Sequence, residues 1–99
     1  MANIRKRKPV HPGKLFKLDV MDELGLSITE TARRLDISRK HLSAFVNEKV
    51  PCSAEMAQRI ARATGTIMQS WLNMQASLDV WEAEQNPSKD IVKIEPFAA

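Results

Sequence analysis

The chain has one cysteine, three glycines and no tyrosine among its 99 residues. A single cysteine excludes an internal disulfide and any zinc site built from several cysteines. Cys52 has no cation close by in sequence to activate it, so it reads as a small packed or partly exposed thiol. No apolar run approaches the roughly 20 residues that a bilayer-spanning helix needs. The basic opening, MANIRKRKP, has no apolar stretch behind it. It does not read as a secretory leader, and a cytoplasmic protein is expected. His11 and His41 lack neighbours at metal-ligand or acid–base spacing, and there is no nucleotide-binding motif. The sequence therefore nominates no catalytic residue, no metal ligand and no cofactor. Scarce glycine and few β-branched runs favour helix over sheet, and no internal repeat or low-complexity segment is present.

What is present is an ordinary apolar content of 43% with 27% charged residues, in a length that suits one small domain. The charge is unevenly spread. Residues 1–64 hold 13 Lys and Arg against 7 Asp and Glu, a net of +6, whereas residues 65–99 hold 2 against 5, a net of −3. The first part suits phosphate and the last part does not, so one end is expected to meet nucleic acid and the other protein.

The most informative stretch is Ser27 to Lys49, SITETARRLDISRKHLSAFVNEK. Ile28, Ala32 and Leu35 form one apolar stripe at helical spacing, and Leu42, Phe45 and Val46 form another. Between them, Asp36 tolerates a left-handed backbone, Ile37 can plug the angle between two helices, and Ser38 is a good N-cap. Ala32 is small where two steeply crossing helices need a close approach. The pattern is that of a helix-turn-helix, whose second helix enters the DNA major groove. Arg39, Lys40, His41 and Ser43 lie near the start of that helix, away from its apolar stripe, and Arg, Lys and Ser can all hydrogen-bond base edges.

The rest of the chain fills in around this unit. Residues 1–10 form a basic arm with Arg5, Lys6, Arg7 and Lys8. It reads either as a solubilising tail or as an arm that adds phosphate or minor-groove contacts. The folded domain is expected over residues 11–85. His11-Pro12-Gly13 opens its first helix, whose stripe is Phe16, Val20, Met21 and Leu24, flanked by Leu15; Gly25 ends it. Ser27 and Thr29 are alternative caps for the second helix, and Ser27 with Glu30 has capping-box spacing. Asn47 can take the left-handed position after the third helix, Lys49 projects from the loop, and Pro51 bars continuation. Ser53 caps a fourth helix with Met56, Ala57, Ile60 and Ala61 inward and Arg59 and Arg62 on a solvated face; Gly65 ends it. A fifth helix is expected from about Ile67 to Glu84, with Trp71 in the core. Trp81 reads either as the edge of the core or as part of a dimer interface, for which Trp81 and Leu78 are the candidates. Asn86-Pro87-Ser88 breaks that helix. The tail, residues 86–99, holds Ile91-Val92-Lys93-Ile94, a β-prone run that is either disordered or a short strand on an edge.

Residues 11–84 resemble the HigA/VapI antitoxins, the virulence-associated protein I branch of the Xre/Cro–C1 helix-turn-helix superfamily. The resemblance rests on His11-Pro12-Gly13, Gly25-Leu26-Ser27, Ile37-Ser38-Arg39, Asn47-Glu48-Lys49 and Met56-Ala57-Gln58-Arg59-Ile60-Ala61. Its most distinctive part is Trp71-Leu72-Asn73-Met74-Gln75-Ala76 with Asp79-Val80-Trp81-Glu82. It implies an all-α, five-helix, lambda-repressor-like domain that dimerises, binds a palindromic operator in its own promoter and neutralises a HigB-type mRNA-cleaving toxin. The positions matching the family's base-reading surface are Ser38, Arg39, Lys40 and Ser43; Thr29, Asn47 and Lys49 match phosphate-contact positions. The chain departs from the superfamily in having Ile28 for a common Gln, Asp36 and Glu48 for common Gly, and Met68-Gln69-Ser70 for the family's Pro-Glu-Phe. The same DNA-facing residues would serve a free-standing regulator without a toxin.

Overall fold

Serine hydroxyls set most of the helix starts. In the computed structural model, which describes residues 7–98, Ser27, Ser38, Ser53 and Ser88 each accept an amide hydrogen bond from three residues ahead. They open α2 (Ile28–Leu35), α3 (Arg39–Val46), α4 (Ala54–Thr64) and the single-turn α6 (Lys89–Val92). Glu30 does not complete a capping box on Ser27; its carboxylate binds Arg33 and Arg34 instead. The long helix α5 (Met68–Gln85) starts at Ile67 without a side-chain cap.

Helix α1 begins at His11. It is α-helical over Pro12–Phe16 and continues as a π-helical stretch over Lys17–Asp22. A π turn advances five residues where an α turn advances four, so Phe16 and Met21 share the inner face, each 1% exposed. The apolar stripe expected at α spacing ends on Leu24. The extra residue in the turn rotates Leu24 into solvent, where it is 66% exposed.

Four helix ends use a left-handed residue followed by an amide that reaches back to the carbonyl five residues before it. Leu26 N–H bonds Met21 O, Ile37 bonds Ala32, Lys49 bonds Ala44 and Thr66 bonds Ala61. The left-handed residues are Gly25, Asp36, Glu48 and Gly65. Asp36 fills the role expected of it. Asn47 does not: its φ of −95° is not left-handed, and the turn falls one residue later, on Glu48 at φ 63°.

The core lies where α1, α3, α4 and α5 meet. Phe16 sits between Phe45 and Trp71, with ring centroids 6.2 Å from each. Leu42, Phe45, Ala57 and Ile60 are fully buried beside them. Trp71 keeps its indole N–H satisfied by Thr66 Oγ1 at 2.8 Å. Thr66 in turn bonds the hydroxyl of Thr64, which donates to Ile60 O, so the polar chain ends on a carbonyl. Gln75, 8% exposed, accepts the Cys52 amide and donates to Asp79. Cys52 is packed, and burial pushes its thiol up to about 11.

The described residues contain no strand. Ile91 and Val92 of the β-prone run instead end helix α6, which Ser88 caps, and the described residues offer no sheet edge to pair with. Leu78, expected at a dimer interface, is 2% exposed inside the chain's own packing. Trp81, one turn on, is half-buried. No helix among the described residues is long and apolar enough to cross a membrane.

Candidate nucleic-acid interface

Helix α3 is short, so its orientation depends on what grips its ends. At its start, Ser38 Oγ accepts the His41 amide at 3.0 Å. The turn before it is held from outside the motif. Arg59 of α4 donates to Leu35 O at 2.8 Å and to Asp36 O at 3.1 Å, closing the carbonyl end of α2 with a charged donor. The same guanidinium pairs with Glu55. Arg59 thus belongs to the frame of the turn and not to the solvated face expected of it.

At the other end, α1 grips α3. Gly13 packs so closely on the last turn of α3 that a Cβ there would stand 1.9 Å from Phe45 O. His11 accepts the Gly13 amide on Nδ1 at 2.9 Å, and its Nε2 lies 3.0 Å from Val50 O. The two contacts together require the tautomer with its proton on Nε2. His11 is 6% exposed, and its ring meets Phe45 edge-on. The His-Pro-Gly motif is therefore a clamp: a cap, a helix start and a close approach, all bearing on the end of α3.

Between the two grips, α3 turns one side to the core and one to solvent. At ~100° per residue, Arg39, Lys40, Ser43 and Asn47 fall within an arc of ~100°. Leu42 and Phe45 lie across the helix from that arc, 0% exposed. Ser38, Arg39 and Lys40 are exposed, as are Thr29 in the first turn of α2 and Lys49 after α3. Ser43 is half-buried. Asn47 is turned back along α3, its Nδ2 donating to Ser43 O at 2.8 Å and lying 3.4 Å from Ser43 Oγ. Its Oδ1 stays available to a donor, whereas its N–H groups would have to leave Ser43 to reach a phosphate.

The charges follow the same division. Arg33 and Arg34 are bound to Glu30, and that hydrogen bonding holds the Glu30 carboxyl down at about 2. Among the described residues, Arg39, Lys40 and Lys49 form no ion pair, so their charge stays open toward the α3 face. The arm adds to this side. Arg7 and Lys8 line a groove of about 700 Å³ with His11, Lys14 and Glu48, next to the loop that carries Lys49. Lys8 also reaches Glu82 of α5 at 3.8 Å. Arg5 and Lys6 lie outside the described residues. Lys14 is a cation of this side that sequence reasoning did not single out; its position three residues after His11 was the only sign.

Among the described residues, no group of three His, Cys, Asp or Glu is placed to hold a metal ion. The arrangement presents polar and cationic groups on a rigid, exposed helix face.

A helix-turn-helix family model matches residues 19–67. The chain is 36% identical to YbaQ, an uncharacterised helix-turn-helix-type transcriptional regulator of Escherichia coli K12, over 93% of this chain and 83% of that protein. It is 35% identical to virulence-associated protein I of Dichelobacter nodosus, over 78% of this chain and 71% of the relative. In three dimensions it matches the Pseudomonas aeruginosa antitoxin HigA, solved with the higBA promoter. The TM-score is 0.79 at 30% identity, over 91% of this chain and 99% of that one.

Proposed function

The chain belongs to the Xre/Cro–C1 helix-turn-helix superfamily, in its branch of HigA- and VapI-like DNA-binding regulators, and we propose that it is an autorepressing antitoxin. In this reading a homodimer sets two copies of α3 about 34 Å apart, one turn of DNA, on a two-fold-symmetric operator in its own promoter. Thr29, Asn47 and Lys49 contact phosphates, and the cationic contacts supply affinity that falls with salt. Arg39, Lys40, Ser38 and Ser43 meet base edges, each good pair discriminating by about 1–3 kcal/mol. Repression needs no chemistry, because the bound dimer blocks the polymerase. The same chain neutralises a HigB-type mRNA-cleaving toxin in the cytoplasm through a surface away from α3.

The observation that carries the DNA half is the arc of Arg39, Lys40, Ser43 and Asn47 opposite buried Leu42 and Phe45, clamped at both ends. The likeness to an antitoxin solved with promoter DNA supports the toxin half. The likeness to YbaQ favours a second reading, a free-standing regulator with the same DNA surface and no toxin.

Affinity purification from native cells, followed by binding to the chain's own promoter, separates the two. A small basic protein that co-purifies, with tighter promoter binding by the pair than by this chain alone, supports the antitoxin. Promoter binding without a partner supports the free-standing regulator. Failure of both would reject the proposal.

A further inference from the structure

The groove beside the N-terminal arm lies outside the α3 face, and the DNA contacts proposed above do not use it. Its walls are the arm from Arg7 to Val10, the start of α1 with His11 and Lys14, and Glu48 of the loop after α3. Three cations there stand against one carboxylate, a net of +2. Arg7 and Lys14 are exposed and form no ion pair among the described residues, and Glu48 forms none either. Lys8 reaches Glu82 at 3.8 Å with both side chains half exposed, too loose a pair to cancel its charge. The groove therefore attracts an anion that the chain itself does not supply.

The groove is built on the clamp that holds α3. His11 forms part of its wall, and His11 is tied to the Gly13 amide and to Val50 O. Glu48 and Lys49 follow α3 directly. The groove is thus fixed at the C-terminal end of α3, while Arg39 and Lys40 stand at its start. Eight residues make α3 about 12 Å long, and the DNA major groove is about 12 Å wide. A helix seated there has a sugar–phosphate strand passing its C-terminal end, beside Lys49 and the arm. An acidic protein segment would match the charge as well, but continuity with Lys49 and the α3 face selects DNA.

From this we infer that the groove of Arg7, Lys8 and Lys14 is a further phosphate-binding site, which takes the DNA backbone passing the C-terminal end of α3. Arg7 and Lys14 supply the attraction, Lys8 holds the arm toward α5 through Glu82, and Glu48 weakens the pull on the phosphate. The inference rests on the DNA reading of the α3 face. It adds contacts that carry affinity and no sequence information.

Fluorescence anisotropy of the full-length chain tests it, on its own promoter and on unrelated duplex, from about 50 to 200 mM salt. Arg7→Gln and Lys14→Gln should each flatten the salt slope by about 0.9 per bound protomer, so that each protomer loses about 3.5-fold less affinity across that range. Lys14→Arg should restore the native slope. Preference for the promoter should stay within a few-fold throughout, because phosphates carry no sequence. Arg62→Gln, an equal loss of charge at an exposed position of α4, should leave the slope as it is. A native chain that binds neither duplex would overturn the DNA reading and the groove together. Native binding with unaltered slopes in Arg7→Gln and Lys14→Gln, or equal flattening by Arg62→Gln, would overturn the groove alone. Unaltered slopes together with loss of a co-purifying protein in the same variants would give the groove to an acidic protein segment, which also overturns the inference.

Discussion

Replacing Gly13 with alanine tests the clamp on α3 at its tightest point. The added methyl would stand 1.9 Å from Phe45 O and 2.7 Å from Phe45 C. Both are backbone atoms of the last turn of α3, so no side chain can swing aside. Relief requires α1 to move off α3 by more than an ångström. That movement breaks the His11 contact to Val50 O, now 3.0 Å, and loosens the packing of Phe16 on Phe45. Overpacking of this kind costs about 1–3 kcal/mol, and a lost hydrogen bond adds about 1 kcal/mol. The expected destabilisation is therefore about 3 kcal/mol, which for a domain of this size lowers Tm by roughly 12–24 °C. Denaturant unfolding at 25 °C measures it directly. Gly25→Ala is the control: Gly25 has φ 66° but no atom within 4 Å of an added Cβ. It should cost only about 1 kcal/mol, the strain of a left-handed alanine. If Gly13→Ala loses less than Gly25→Ala, close approach is not what the His-Pro-Gly motif provides.

Three further outcomes are expected. Arg59→Ala removes the donor to Leu35 O and Asp36 O, and should lower stability by about 1–2 kcal/mol, given that the side chain is partly exposed; a loss below the error of the denaturation curve would return Arg59 to the solvated face. Glu48→Gly relieves a left-handed non-glycine residue and should stabilise by about 0.5–1 kcal/mol, read as a higher urea midpoint at unchanged slope. Glu30 is held down to about 2 by Arg33 and Arg34, so the stability it contributes is fully present above its usual value of 4.5 and fades as the pH falls toward 2. Glu30→Gln should flatten Tm against pH in that window, and an unchanged profile would mean that the pairing does not outlast the folded state's fluctuations.

The parts of the fold that the sequence made legible are those set by neighbours in the chain. Ser27, Ser38 and Ser53 cap helices because an oxygen three residues before an amide can reach it, and Asp36 turns left-handed because a short polar side chain tolerates it. Features built across the chain were not legible. Arg59 reaches Leu35 over 24 residues and His11 reaches Val50 over 39, and neither pairing leaves a local pattern. The π turn in α1 hid for another reason: Phe16, Val20, Met21 and Leu24 fit an α stripe as well as a π one, and only packing shows which residue is thrown outward. Asn47 and Glu48 differ by one position, and the left-handed turn fell on Glu48 and not on Asn47, where it was expected. Leu78 fits an interface or a core equally well by spacing; its own chain buries it. On the candidate DNA face, Arg39, Lys40, Lys49 and Thr29 lie exposed as the sequence suggested. The structure adds the turning-in of Asn47 onto Ser43, which no spacing rule predicts.

The central claim is that the exposed arc of α3 reads DNA sequence. Its most direct test is the binding of native chain and Arg39→Ala to the chain's own promoter and to unrelated duplex of equal length, at one salt concentration, by fluorescence anisotropy. The account predicts that the native chain prefers its promoter by at least about a thousandfold, the lower range for specific binding. Arg39→Ala should keep its affinity for unrelated DNA within a few-fold while losing roughly tenfold or more of that preference. Equal affinity of the native chain for both duplexes, or an undiminished preference in Arg39→Ala, would contradict it.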